Sequence, residues 1–188
     1  MIAAALLACA ANVAPVTLAA VIRVESAGNP LALHVNGLVG PQPHPTTVAD
    51  AVNLAERAIR LGYSVDLGLM QVNSRNLAAL GYSIRQILDP CTNIRGGGSI
   101  LTADYAEATR SRGEGQAALE AALSAYNTGD FDRGFSNGYV GKYFGRGEVP
   151  ALPVGLRHAT VPRTAPPPNP YTADTQIYSG EALNIHVD

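Results

Sequence analysis

Tryptophan is absent from this sequence, and tyrosine and phenylalanine bring the aromatic share to only 6%. The strands of a β-sandwich favour aromatic and β-branched residues, so this scarcity argues against such a fold. The 30 alanines favour packed helices instead. Two cysteines, Cys9 and Cys91, are too few for a disulfide scaffold and too far apart for a zinc knuckle. A mainly α protein is therefore expected.

Excess positive charge is also missing, since 13 Lys and Arg stand against 15 Asp and Glu. Nucleic-acid binders usually carry a basic excess, so no nucleic-acid partner is expected. The sequence contains no HExxH, GxSxG or GK[ST] pattern, and its four histidines form no closely spaced pair. Metallohydrolases, nucleophile-elbow hydrolases and nucleotide-dependent enzymes are thereby disfavoured, and we expect neither a metal nor a cofactor.

The apolar run at residues 1–22 lacks the features of an export or membrane segment. Asn12 and Pro15 interrupt it, whereas a membrane span needs about 20 apolar residues. No basic residue precedes Arg23, so the run does not resemble a secretory signal peptide. Leu-Leu-Ala-Cys at 6–9 faintly resembles a lipoprotein cleavage box, but a short helix over 2–10 is the favoured interpretation.

Apolar periodicity and breaker residues divide the rest of the chain. We predict a loop over 31–46 and extended or turn structure over 63–73. Helices are predicted at 14–27, between Thr47 and Gly62, and at 74–80, 84–88, 90–111, 114–126 and 136–144. Seven of the 13 prolines lie in 146–188, which favours an extended or disordered tail. The predicted organisation is a helical domain over 1–145 followed by a Pro-rich tail over 146–188.

Glu25 stands out among the few acidic residues. It falls on the apolar stripe of the 14–27 helix, with Leu18, Val21 and Ile22, in the last turn before Gly28. The negative end of the helix dipole and partial burial both disfavour the charged carboxylate and raise its pKa. A protonated carboxyl near neutral pH can protonate an oxygen leaving group, as in glycoside cleavage. The alternative is an exposed helix-end Glu paired with Arg23 or Arg75.

A second carboxylate is not evident from the sequence. Asp66, Asp130 and Asp132 are candidates, but sequence does not supply the separation that distinguishes retaining from inverting glycosidases. A third route needs no second carboxylate, because a hydroxyl of the sugar can attack its own anomeric carbon. One Glu then donates a proton and later accepts one.

Four segments in order resemble the soluble lytic transglycosylase family. They are Glu-Ser-Ala-Gly-Asn-Pro at 25–30, Gly-Leu-Met-Gln-Val-Asn at 68–73, Ala-Tyr-Asn-Thr-Gly at 125–129 and Tyr-Val at 139–140. Asp-Leu at 66–67 and Asp-Pro-Cys-Thr-Asn-Ile at 89–94 are similar to the specialised members of type IV secretion and conjugation systems. The resemblance spans about residues 9–145 and implies a helical, goose-type-lysozyme-like fold.

The resemblance implies cleavage of the β-1,4 bond between N-acetylmuramic acid and N-acetylglucosamine in peptidoglycan, with a 1,6-anhydromuramoyl product. Glu25 matches the catalytic acid and base of the family. The implied substrate-binding residues are Ser26, Met70, Gln71, Tyr126, Asn127 and Tyr139. Cys9 and Cys91 resemble a disulfide of the secretion-associated subgroup, which in an oxidising periplasm would stabilise the fold by about 2–4 kcal/mol.

The implied setting is the periplasm or cell envelope of a Gram-negative bacterium. Peptidoglycan strands are the expected substrate, and other secretion-system components are expected partners through residues 146–188. Two alternatives remain open at this point. One is a lysozyme-type hydrolase on the same fold, and the other is a non-catalytic glycan-binding assembly factor.

Overall fold

The computed structural model describes residues 4–144, which are mainly helical, as the composition predicts. The helices are α1 (Ala4–Leu7), α2 (Pro15–Ser26), α3 (Val48–Arg60), α4 (Leu77–Leu80), α5 (Ile84–Ile87), α6 (Pro90–Arg112), α7 (Gln116–Thr128), α8 (Arg133–Ser136) and α9 (Gly141–Phe144). Single 3-10 turns occupy Ala8–Ala10 and Ser74–Asn76. The strands are β1 (Leu33–Val35), β2 (Val65–Leu67) and β3 (Val72–Asn73). The predicted tail over 146–188 lies outside the described residues, so the boundary at 145 stays a prediction.

Helix α2 lies at the centre of the fold and ends at the site. Pro15 occupies its first turn, where a missing N–H removes no helical hydrogen bond. The buried residues run from Thr17 to Ile22, and the helix ends where Ala27 adopts a left-handed conformation at φ 52°. The predicted helix over 14–27 is therefore confirmed.

The prediction of a loop over 31–46 is wrong at one point, because β1 lies within it. A three-residue strand between Asn-Pro and a Gly-rich stretch is too short for its alternation to be recognised. The three strands form an antiparallel sheet in the order β1-β2-β3. His34 faces Asp66, and Asp66 faces Asn73 across the strands. Since Leu33, Val35, Val65 and Leu67 are buried, the opposite face of the sheet is polar.

Two helix starts follow their sequence signals. Thr47 accepts a hydrogen bond from the backbone N–H of Asp50 at the start of α3. Asp89 accepts one from Thr92 at the start of α6, with Pro90 as the first helical residue. Both predicted helices are confirmed.

The three consecutive glycines of α6 allow close packing. A Cβ on Gly97 would lie 2.7 Å from Cβ of Met70 and 2.9 Å from the hydroxyl oxygen of Tyr126. A Cβ on Gly98 would lie 2.8 Å from that of Ala10. Helix α6 thus packs directly against the site-forming turn and the N-terminal segment.

The single helix predicted over 136–144 is wrong. Helix α8 ends at Ser136, a turn follows with Gly138 at φ 79°, and α9 begins at Gly141. The left-handed glycine breaks the helix, because most residues avoid this conformation. The turn places Tyr139 and Tyr143 against α2. No helix within residues 4–144 is long and apolar enough to cross a membrane.

Candidate active site

A cleft of about 1190 Å³ passes the end of α2. Its walls come from the polar face of the sheet, from α6, from the end of α7, and from the turn before α9 together with α9 itself. A smaller cavity of about 400 Å³ adjoins it, and Val24, Glu25, His34 and Gln71 line both. Glu25 therefore lies where the two cavities meet.

The carboxyl group of Glu25 is placed for acid chemistry. Its pKa is raised to about 7, mainly by burial and also by the negative charge of Asp66, while a hydrogen bond from Tyr139 and the charge of Lys142 act in the opposite direction. The upward shift expected from the sequence is present, with burial as its main cause. Instead of a pairing with Arg23 or Arg75, the carboxylate accepts a hydrogen bond from a tyrosine.

Tyr139 and Tyr143 form a hydrogen-bonded pair beside Glu25. Their hydroxyl oxygens are 2.6 Å apart, and both side chains are buried. Burial raises the pKa of each phenol well above its usual value, so both remain protonated and Tyr139 donates to Glu25. The ammonium of Lys142 lies 5.3 Å from the centre of the Tyr139 ring. The sequence predicted Tyr139 but missed Tyr143, which follows one helical turn later.

Ser26 joins the end of α2 to the turn at 68–71. Its hydroxyl donates to the carbonyl of Leu69 at 2.8 Å, with the carbonyl of Ile22 at 3.0 Å, and it accepts from the backbone N–H of Gly28. Because its hydroxyl bonds to the backbone of both α2 and the turn, Ser26 fixes the position of Glu25 relative to the turn.

Met70 is the sequence-predicted site residue that the structure places elsewhere. Its side chain is fully buried against α6, so it belongs to the core and not to the groove wall. Its backbone is held on both sides, since Met70 N–H donates to Asn93 and Met70 C=O accepts from the Tyr126 hydroxyl, each at 2.7 Å. Its apolar side chain packs where Gly97 has no side chain, and this is why Met70 lies in the core and does not line the groove.

Tyr126 and Asn127 separate in their surroundings. The hydroxyl of Tyr126 donates to the backbone carbonyl of Met70 and not to Glu25, so Tyr126 holds the turn at 68–71 in place. The side chain of Asn127 is exposed and lines the cleft. Of this pair, Asn127 is the residue that can touch a ligand freely.

Gln71 adopts an unusual backbone conformation at the boundary of the two cavities. Its φ of 48° is one of two positive values among the non-glycine residues that the structure describes. Its side-chain amide donates to the carbonyls of Ala32 and Gly68 at 3.1 and 2.9 Å. These bonds hold the strained turn.

Of the three candidate second carboxylates, Asp66 alone lines the cleft. Its two oxygens accept from the amides of Asn36 and Asn73 at 2.9 and 2.5 Å. Asp132 forms an ion pair with Arg112, while Asp130 accepts from backbone N–H groups of the α8 start. Neither Asp130 nor Asp132 lines the cleft.

Asp104 of α6 is a further acid that the sequence did not reveal. It lines the cleft, and burial raises its pKa to about 6. Its position depends on how α6 packs, and the sequence around it reads as an ordinary helix face. Within residues 4–144 no group of His, Cys, Asp and Glu is arranged to hold a metal ion.

Cys9 and Cys91 form a disulfide in the structure, with their Cα atoms 5.3 Å apart. The bond links the N-terminal 3-10 turn to the first turn of α6. It thereby fixes the helix whose glycines pack against the turn at 68–71.

Comparison with known proteins agrees with this geometry. The transglycosylase SLT domain family model matches residues 3–144. Protein virB1 of Agrobacterium fabrum is 44% identical over 134 residues, which cover 71% of this chain and 54% of that protein. The type IV secretion system protein virB1 of Brucella suis biovar 1 is 36% identical over 156 residues, which cover 79% and 64% of the two chains. No solved structure matches significantly.

The chain thus spans between half and two thirds of the length of these relatives. The family model covers the whole described domain and all four segments singled out in the sequence. This match confirms the expected lysozyme-like helical domain. The chain belongs to the transglycosylase SLT domain family.

Proposed function

We propose that this chain is a peptidoglycan lytic transglycosylase. It cleaves the β-1,4 bond between N-acetylmuramic acid and N-acetylglucosamine and leaves a 1,6-anhydromuramoyl end. The observation that carries the proposal is Glu25, a carboxyl group with a pKa of about 7 at the junction of two cavities. Near neutral pH a large fraction of this group is protonated and can act as a general acid.

In the first step Glu25 protonates the glycosidic oxygen. The bond from the anomeric carbon to this oxygen breaks, the N-acetylglucosamine end leaves as an alcohol, and positive charge develops on the muramic acid ring. Glu25 is then a carboxylate, and the hydroxyl of Tyr139 stabilises that anion by donating a hydrogen bond.

In the second step the 6-hydroxyl of the same muramic acid attacks the anomeric carbon. Its proton passes to Glu25, which returns to its starting state, and the new carbon–oxygen bond closes the 1,6-anhydro ring. Water is not consumed. An intramolecular nucleophile is already held near its target, which gives it a large advantage over a bimolecular attack.

The other predicted site residues divide into positioning and contact roles. Ser26, Gln71 and Tyr126 have positioning roles, because their hydrogen bonds to backbone carbonyls join the turn at 68–71 to α2, to Ala32 and to α7, respectively. Asn127 is exposed in the cleft, where its amide can bind the N-acetyl group of a sugar. Tyr139 lowers the pKa of Glu25 by donating a hydrogen bond to its carboxylate.

A lysozyme-type hydrolase is the second candidate, and Asp66 is the observation that favours it. Asp66 shares the cleft with Glu25, and its fixed carboxylate could activate a water or stabilise the positive transition state. Hydrolysis adds water across the bond and yields reducing ends, so the products separate the two candidates.

The relatives supply the proposed setting. The Brucella suis relative is named as a type IV secretion system protein. We infer that this chain opens the wall locally for such an apparatus, in the periplasm or cell envelope of a Gram-negative bacterium. Residues 146–188 are the proposed contact to other secretion components.

The test compares the wild type with Glu25→Gln on purified, insoluble sacculi. The amide keeps the size of the side chain but cannot donate an acidic proton, so release of soluble muropeptides should fall by at least about a hundredfold. Glu56→Gln, on the exposed face of α3, is the matched control and should retain full release. A Glu25→Gln protein as active as the wild type would exclude catalysis by Glu25. Absence of any release by the wild type would favour a glycan-binding factor.

A further inference from the structure

The smaller cavity beside Glu25 has a wall built by one side chain. The amide of Gln42 pairs with the backbone of Val35 on the edge strand β1, accepting from its N–H at 2.7 Å and donating to its C=O at 3.3 Å. This pairing attaches the 41–45 loop to the sheet, and Pro45 is buried beneath it. The loop thereby forms one side of the cavity and brings His44 to its lining.

Apart from Glu25, Arg23 is the one described residue lining this cavity whose side chain carries a fixed charge, and that charge is positive. His34 and His44 also line it. Arg23 is exposed, and within residues 4–144 it forms no ion pair. The larger cleft differs, since Asp66 and Asp104 face it together with basic side chains.

Arg23 is the strongest hydrogen-bond donor among the side chains that line the small cavity. The guanidinium of Arg23 carries five N–H groups and no acceptor. Asn29 also lines the cavity; its amide oxygen accepts from the N–H of Leu31, and its NH₂ group is a further donor. Each imidazole carries an N–H donor and, when neutral, an acceptor nitrogen as well. An ionised carboxylate only accepts hydrogen bonds, so it matches this set, whereas a sugar hydroxyl needs both kinds of partner.

We propose that this cavity is a subsite for a carboxylate of the peptidoglycan strand, with Arg23 as its main ligand. The proposal rests on the proposed function, because it concerns the same substrate. Two sources offer this group. One is the stem peptide, and the other is the lactyl carboxylate that is freed when the peptide is removed. Bound beside Glu25, the carboxylate would fix which sugar linkage lies against the acid, so the enzyme would select strands by their charge.

The test uses three substrates made from one preparation of strands. The first keeps its free stem-peptide carboxylates, the second has those carboxylates converted to amides, and the third has its peptides removed by an amidase. For the first, Arg23→Gln should lower kcat/KM roughly tenfold, as expected for the loss of a charge-assisted bond. Arg23→Lys should restore most of it, since the charge is retained.

On the amidated strands, wild type and Arg23→Gln should have equal activities, because the ligand of Arg23 is gone. This comparison also separates out any general effect of Arg23 on the site, because such an effect would lower kcat/KM equally for all three substrates. An effect of Arg23→Gln on the amidase-treated strands alone assigns the ligand as the lactyl carboxylate, and an effect on the free-carboxylate strands alone assigns it as the stem peptide. Arg85→Gln, exposed on α5, is the control and should not discriminate among substrates.

An equal loss on free and amidated strands, or no loss on any of the three substrates, overturns the subsite. A binding measurement keeps this conclusion separate from the proposed function. Glu25→Gln protein is sedimented with insoluble sacculi, with and without Arg23→Gln, and the second substitution should weaken sedimentation only when carboxylates are free. If the wild type cleaves nothing, the proposed function fails while this binding difference still decides the subsite.

Discussion

The hydroxyl of Tyr139 donates a hydrogen bond to the carboxylate of Glu25 across 114 positions of sequence. Glu25 lies in the last turn of α2 and Tyr139 lies in the turn before α9, so the bond joins two distant parts of the sequence at the site. Tyr143 shares a hydrogen bond with the hydroxyl of Tyr139, and the ammonium of Lys142 lies over the Tyr139 ring. Tyr139 and Lys142 thus lower the pKa of Glu25, although they lie far from it in the sequence.

The first prediction concerns the pH profile of Tyr139→Phe. The Tyr139 hydrogen bond lowers the pKa of Glu25, so its loss should raise that pKa. Since the first step needs protonated Glu25, kcat/KM of the wild type should fall as pH rises through about 7. In Tyr139→Phe this fall should move upward by about one pH unit, together with a lower maximal rate.

Initial rates of muropeptide release between pH 5 and 9 measure this shift. Tyr82→Phe, on a tyrosine outside the cleft lining, is the control and should leave the profile in place. A downward shift in Tyr139→Phe would contradict the assignment of Glu25 as the acid.

The second prediction concerns stability. The folded protein raises the pKa of Glu25 from 4.5 to about 7, so it binds the proton more tightly than the unfolded chain does. The contribution of Glu25 to the unfolding free energy is therefore most favourable below pH 4.5 and is lost as pH rises to about 7. Glu25→Gln removes this dependence and should gain on the wild type by up to about 3 kcal/mol between pH 4.5 and 8.

Urea unfolding of both proteins at these two pH values measures the difference, and contributions from other titrating groups cancel between them. A stability gap that stays constant or narrows with rising pH would mean that the Glu25 carboxyl is not buried.

The third prediction concerns the glycines of α6. Gly97→Ala places a methyl group within 3 Å of Met70 and of the Tyr126 hydroxyl, and it should destabilise the fold by about 1–3 kcal/mol. Activity should fall too, because Met70 belongs to the turn beside Glu25. Gly141→Ala is the control, since a Cβ there meets no atom within 4 Å. Equal unfolding midpoints of the two variants would refute the close packing.

The fourth prediction concerns the disulfide. Cys9 and Cys91 are 82 residues apart, so the bond restricts a long loop of the unfolded chain. Reduction should lower the unfolding free energy by about 2–4 kcal/mol. Denaturant unfolding with and without dithiothreitol measures this loss. The Cys9→Ser/Cys91→Ser double variant should unfold like the reduced protein and ignore the reductant, and a wild type equally indifferent to reductant would exclude the bond.

The sequence predicted the elements that carry strong local signals. Thr47 and the Asp89-Pro90 pair begin helices because their side chains satisfy or remove free N–H groups, which is a local effect. Strand β1 escaped prediction because its three residues are fixed by pairing with β2, far along the chain. Gly138 also misled the prediction of the last helix, since its left-handed conformation was not recognised.

The site shows the same division. The position of Glu25 on an apolar helix end is visible in the sequence, and so is the cause of its raised pKa. Its neighbours are not, because Tyr143 and Asp104 reach the site through the packing of α9 and α6. Met70 shows the opposite error, since a residue beside a functional turn in sequence points into the core in space.

The central claim is that the sugar's own hydroxyl, not water, completes the cleavage at Glu25. Mass spectrometry of the muropeptides released from sacculi by the wild type, with Glu25→Gln as the inactive control, tests it most directly. The account predicts ends that are one water lighter than reducing ends, as a 1,6-anhydro ring requires. Muropeptides carrying only hydrated reducing ends would contradict it and assign the chain to hydrolysis.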